Sequence, residues 1–159
     1  MQRPVRLLAA CALLATASVA SGADTPPALA VTDAWARATV EAQTGSGVFL
    51  HLTSPQDAQL LGATSAAADR VEIHEMRLVN GMMTMRRIER LPLPAGKTVA
   101  LDHDFHIMLI GLKHQLQAGS HIDLALQWLD AAGRQHTTQV VVPVRALNTP
   151  VGSSGAKRD

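Results

Sequence analysis

Between residues 31 and 144, apolar residues recur in short runs, several of them alternating with polar ones, and turn residues interrupt them at intervals of about ten. Period-two alternation marks a half-buried strand, and regular repetition of such strands is the pattern of a β-sandwich or barrel. The pattern predicts strands at 31–37, 47–53, 57–63, 69–78, 83–90, 97–101, 106–111, 121–129 and 136–144. Segment 56–70 fits either a strand or a short helix. The last two strands make a hairpin around Asp130–Gly133. There Val140, Val142 and Val144 alternate with Val141 and Pro143, which puts Pro143 near a strand end or on an edge. No stretch sustains a long helical period with caps. The expected fold class is all-β, in a single domain over residues 30–145.

The segment 71–88 can be read in more detail. Asn80-Gly81 is the strongest short-range signal for a two-residue type I′ turn, because both residues tolerate positive φ. With that turn, Val79 pairs with Met82, Met76 faces Met85, Glu75 faces Arg86 and His74 faces Arg87. Side chains alternate between faces, so His74, Met76, Met83 and Met85 share one face, while Val71, Ile73 and Glu75 share the other. The opposite charges of Glu75 and Arg86 support the same register, and a one-residue slip would invert it. His106-Ile107-Met108 repeats the device, with His and Met on one side of a strand and Ile107 and Leu109 on the other.

The two ends read differently from the middle. Arg3 and Arg6 precede an apolar run from Leu7 to Ala20, and small residues offer cleavage after Ala20 or Ala23. This is the layout of a secretory signal peptide over residues 1–23, and the run is too short and alanine-rich for a membrane span. Cys11, the only cysteine, lies inside it. Leu8-Ala9-Ala10-Cys11 resembles a bacterial lipoprotein box and makes anchoring through Cys11 the lesser alternative, since only four apolar residues precede the cysteine. Residues 146–159, with Gly-Ser-Ser-Gly and a terminal Lys-Arg-Asp, read as a flexible tail.

Export changes what chemistry is available. Once the signal peptide is removed no cysteine remains, which excludes disulfides, thiolate nucleophiles, zinc-thiolate sites and a blue-copper site. Of the 14 Lys+Arg, Arg3 and Arg6 leave with the signal peptide, so 12 face 13 Asp+Glu. This balance gives no electrostatic case for nucleic acid or an anionic membrane surface. No carboxylate pair can be placed from Glu41, Asp102 and Asp104, and no nucleophile-elbow pattern occurs, so catalysis has no support.

The remaining chemistry is soft. Five of the six methionines fall between Met76 and Met108, interleaved with His74 and His106. Neutral thioether and imidazole donors suit Cu(I) better than zinc, magnesium or calcium. Met82 is expected to pack in the core, and Met83 to pack in the core or beside the ion; Met76 is left open between ligand and shield. His51, His103, His114, His121 and His136 are expected to face solvent or to be hydrogen-bonded. His103 is the candidate for an added ligand should Cu(II) bind. Trp35 and Trp128 are expected in core or edge packing.

At these residues the chain resembles the periplasmic copper chaperones written PCu(A)C. Their pattern is a His, ten residues, a Met, about twenty-one residues, then His-x-Met; here His74 and Met85 have ten residues between them, and His106-Ile107-Met108 follows after twenty. The one-residue deficit falls in Asp102–Phe105. The likeness extends to Ala34–Thr39, Gly47–Leu52, Val71–Met76, Leu93–Gly96, Met108–Lys113 and Val140–Val144, covering roughly residues 31–144. The resemblance implies a cupredoxin-like Greek-key β-sandwich or barrel that binds Cu(I) through His74, Met85, His106 and Met108. It also implies delivery of copper in the periplasm to the binuclear copper centre of cytochrome c oxidase, directly or through a partner. The alternatives are a copper buffer or resistance protein and, from another class, an Ig-like interaction module whose methionines are core.

Overall fold

The computed structural model describes residues 28–151. The expected signal peptide, with Cys11, and residues 152–159 of the expected tail lie outside them. Ten strands run through the described residues: β1 (Ala30–Arg37), β2 (Gly45–Thr53), β3 (Ala58–Thr64), β4 (Ala68–Val79), β5 (Met82–Ile88), β6 (Leu91–Leu93), β7 (Thr98–Leu101), β8 (Phe105–Leu112), β9 (His121–Leu129) and β10 (Gln135–Arg145). Their order is β5-β4-β8-β2-β1-β10-β9-β3-β6, with β7 added on the second half of β2. The first five strands form one layer and the last four the other. The layers join where β1 and β10 run parallel, pairing Ala36 with Val144 and Arg37 with Arg145. Among the described residues the path ends at two unpaired edges, β5 and β6, so the architecture is an open sandwich rather than a closed barrel.

Alternation explains how one core fills both layers. In β2 every second residue from Ser46 to Leu52 is buried, and in β9 the same holds from Ile122 to Trp128. Leu50, Leu52, Ile73, Ile107 and Leu109 from the first layer meet Leu60, Leu124, Leu126 and Trp128 from the second. Fully burying each such side chain contributes about 1.5–3 kcal/mol relative to exposure. The polar faces therefore have no freedom of choice. With Ile73 and Ile107 inward on paired strands, His74 and His106 must point outward.

Several expectations need adjustment. The ambiguous segment 56–70 is strand throughout its regular part, β3 and the start of β4. The predicted strand 83–90 is instead β5, ending at Ile88, followed by β6, which the pattern missed because Pro92 interrupts it. Proline is tolerated there because β6 is an edge strand paired only with β3. Trp128 is a core residue, with its Nε1–H donating to Thr138 Oγ1 at 3.0 Å. Trp35 is also buried, but on the outward side of the first layer: it pairs with Phe49 beside a bulge at Asp33 and lies under the guanidinium groups of Arg37 and Arg145.

Candidate metal centre

The β4–β5 hairpin has the register the turn chemistry requires. Asn80 and Gly81 both have positive φ, 51° and 80°, and Val79 pairs with Met82, Met76 with Met85, Glu75 with Arg86 and His74 with Arg87. The charged pair is formed, with Arg86 Nε donating to Glu75 Oε2 at 2.8 Å. On the other side of β4 lies β8, in antiparallel register, with His74 opposite His106 and Glu72 opposite Met108. The strand adjacency that local pattern left open is therefore present. The short Asp102–Phe105 loop does not disturb it, because the Asp104 carbonyl accepts the Met76 N–H at 2.7 Å and Glu75 still pairs with Phe105.

One outward face thus carries His74 from β4, Met85 from β5, and His106 and Met108 from β8. His74 Nδ1 lies 3.0 Å from Met85 Sδ. The His74 and His106 rings meet edge to face with centroids 5.7 Å apart. Met108 stands two residues along β8 from His106, on the same side, beside Gly45 of β2, where an added Cβ would come within 3.3 Å of the Met108 methyl. Phe49 closes this side, its ring centroid 6.5 Å from that of His106 and 4.5 Å from that of Trp35.

Glu72 sets the chemistry of His74, and sequence reasoning missed it. Its Oε2 lies 2.9 Å from His74 Nε2, so the ring proton belongs on Nε2 and the Nδ1 lone pair faces the Met85 sulfur. Two lone-pair donors at that separation repel unless a cation shares them. A carboxylate behind an imidazole in this way is a recurrent arrangement at metal-binding histidines. The hydrogen bond to His74 holds the Glu72 carboxyl below its ordinary range against the effect of burial, helped by Arg87 and Arg70 at 3.8 and 3.6 Å from Oε1. Burial, and then the facing His74, push the His106 imidazole below its usual value, keeping its lone pair free of a proton. The signal for Glu72 was available, since it stands two residues before His74 on the same face of one strand.

Met82 and Met83 sit differently from expectation. Met82 and Met83 are 69% and 60% exposed and do not pack in the core. The hairpin projects beyond the last β8 pair, so among the described residues no third strand covers its tip. Met76 is half-buried on the His74 face, opposite Met85. His103 is exposed and bonded to Asp102 at 3.0 Å; His51 bridges Asp33 and Asp102; His136 stacks on Trp128 and reaches Asp130 at 2.9 Å. Among the described residues no group of three or more His, Cys, Asp or Glu is placed to hold a metal ion. A metal here depends on thioether sulfur.

An all-β sandwich with this topology is a cupredoxin-like fold of the PCuAC type. The copper-bound PCuAC domain from PmoF2 superposes with a TM-score of 0.58 at 19% identity, over 74% of this chain and 92% of that one. The solution structure of the Cu(I) form of DR1885 from Deinococcus radiodurans gives 0.55 at 26% identity, over 79% and 83% of the two chains. The chain itself belongs to the family described as "Putative lipoprotein LpqE-like", whose model matches residues 29–144. The "Putative lipoprotein Lxx21020" of Leifsonia xyli subsp. xyli is 34% identical over 140 residues, 87% of this chain and 82% of that protein.

Proposed function

We propose that this protein is an exported Cu(I) metallochaperone that holds one ion through His74, Met85, His106 and Met108 and hands it to a copper-receiving protein. The observation that carries the reading is the approach of His74 Nδ1 to Met85 Sδ at 3.0 Å, with His106 and Met108 on the same face. The copper-bound and Cu(I) forms of the structural neighbours support it.

The donor set fits carriage rather than catalysis. Neutral imidazole and thioether bind a soft monovalent ion and avoid thiolates, which oxidise readily outside the cytoplasm. Met85 is 52% exposed, so a partner's ligand can approach the ion from its side of the hairpin. That exposure favours delivery over sequestration. On the family resemblance the recipient is the copper subunit of cytochrome c oxidase, or an intermediary that serves its binuclear centre. Residues 1–23 export the chain to the periplasm. The lipoprotein names of the family and of its 34%-identical relative favour retention at the membrane through Cys11, the alternative the sequence ranked second. Incorporation of a fatty-acid label that is lost in Cys11→Ser would establish that anchor. No helix among the described residues is long and apolar enough to cross a membrane.

The protein is expected to bind one Cu(I), and combined Met85→Ala and Met108→Ala replacement to abolish tight binding in competition with a chromophoric chelator. Wild-type affinity in the double variant would rule the site out. Transfer of the bound copper to an apo-oxidase copper subunit, against its retention, separates delivery from storage.

A further inference from the structure

The thioether donors do not stop at the proposed ligands. Met76, Met83 and Met85 lie on the His74 face of the β4–β5 hairpin, Met83 and Met85 more than half exposed. Among the described residues no third strand packs on the exposed Met83 and Met85, because β8 pairs with β4 only as far as Glu75–Phe105. The Met76 N–H points away from β5, to the Asp104 carbonyl. Met76 and Met85 are therefore a non-hydrogen-bonded pair, the kind whose side chains approach most closely. Met83 is diagonal to Met76 across the hairpin, about 7–8 Å away, a gap that long, flexible side chains span. Met85 belongs to both groups, since its sulfur also meets His74 Nδ1.

We propose that Met76, Met83 and Met85 form an outer, all-thioether Cu(I) site through which the ion enters and leaves, with Met85 as the ligand common to both sites. This rests on the copper reading above. Transfer is a ligand exchange. The bonds from copper to the Met76 and Met83 sulfurs break as those to His74 Nδ1, His106 and Met108 form, and Met85 stays bound. Copper remains monovalent, and the neutral donors release no proton. Imidazole is the stronger donor, so the inner site holds the ion at equilibrium and the outer site governs its exchange.

The test uses the double variant Met76→Leu, Met83→Leu, which keeps apolar bulk at both positions; thermal melting checks that it is folded. Cu(I) uptake from, and release to, a chromophoric chelator are followed by stopped flow under anaerobic reducing conditions, alongside equilibrium affinity. Both rates are expected to fall by roughly tenfold, the equivalent of one 1.36 kcal/mol step in barrier, with affinity unchanged, because a transient site enters uptake and release equally. In a His106→Ala, Met108→Ala variant, which disables the inner site and leaves Met85 free for the outer one, the methionine ε-methyl carbon signals of Met76 and Met83 are expected to shift on adding one equivalent of Cu(I). Unchanged rates, or a fall in affinity matching the fall in uptake, would overturn the outer site while leaving the inner one standing. Slowing seen with a protein donor but not with the chelator would identify the strip as an apolar docking face and also overturn it. Failure of wild-type protein to take up Cu(I) would defeat both readings before any variant is made.

Discussion

Replacing Glu72 by alanine removes the group that fixes the proton and the orientation of His74. In the native arrangement the carboxylate accepts the Nε2–H at 2.9 Å, both side chains are mostly buried, and Nδ1 is left free toward Met85. Without it the ring can take either tautomer, and the one with the proton on Nδ1 cannot bind metal through that nitrogen. Arg70 and Arg87, which Glu72 partly neutralises, also lose their counter-charge beside the proposed cation site. Removing a carboxylate behind a metal-binding histidine costs about 10–100-fold in affinity, or about 1.4–2.7 kcal/mol. The two arginines place Glu72→Ala toward the upper end. Glu72→Gln keeps an acceptor oxygen at the same position without its charge, so it should lose less, on the order of tenfold. Competition against a Cu(I) chelator measures both variants, with chemical denaturation confirming that they fold equally well. Wild-type affinity in Glu72→Ala would refute the assignment of Nδ1 as the ligating nitrogen. Equal losses in the two variants would show that the field of the charge acts here, not the orientation of the ring.

Two further outcomes test the framework around the site. Gly47→Ala places a Cβ within 2.9 Å of the Phe49 ring, which is already held tilted against Trp35 at 4.5 Å between centroids, so overpacking should destabilise the protein by about 1–3 kcal/mol in urea unfolding. The hydrogen bond from His136 holds the Asp130 carboxyl well below its usual range, against desolvation and with further help from Arg134. A depressed native value stabilises the fold above the unfolded-state value and is lost as pH falls toward the native one. Asp130→Asn should therefore be less stable than wild type at pH 7, and the gap should close as pH drops below about 4. A gap that stays constant down to pH 2 would contradict this account of the β9–β10 turn.

How much of the site was legible depended on how local each feature is. Asn80-Gly81 demands a type I′ turn, the turn fixes the pairing, and strand parity then assigns His74, Met76, Met83 and Met85 to one face. All of that information lies within about a dozen residues. His106 and Met108 could be placed on one side of their own strand for the same reason. Glu72 was hidden in plain view, because a glutamate two positions from a histidine is common and becomes meaningful only once its oxygen is found on the ring nitrogen.

The sequence by itself determined the all-β class, the hairpin register and the soft character of the donor set, because turn stereochemistry, side-chain alternation and composition act over short range. Only the tertiary structure decided that β8 lies beside β4, with His106 opposite His74, since pairing between strands distant in sequence depends on which apolar faces bury together. It also decided that Met82 and Met83 are exposed, not core, and that Trp35 is buried on the outward face. Burial is a property of what covers a residue. Among the described residues no strand covers the hairpin tip, and two arginines from separate strands cover Trp35.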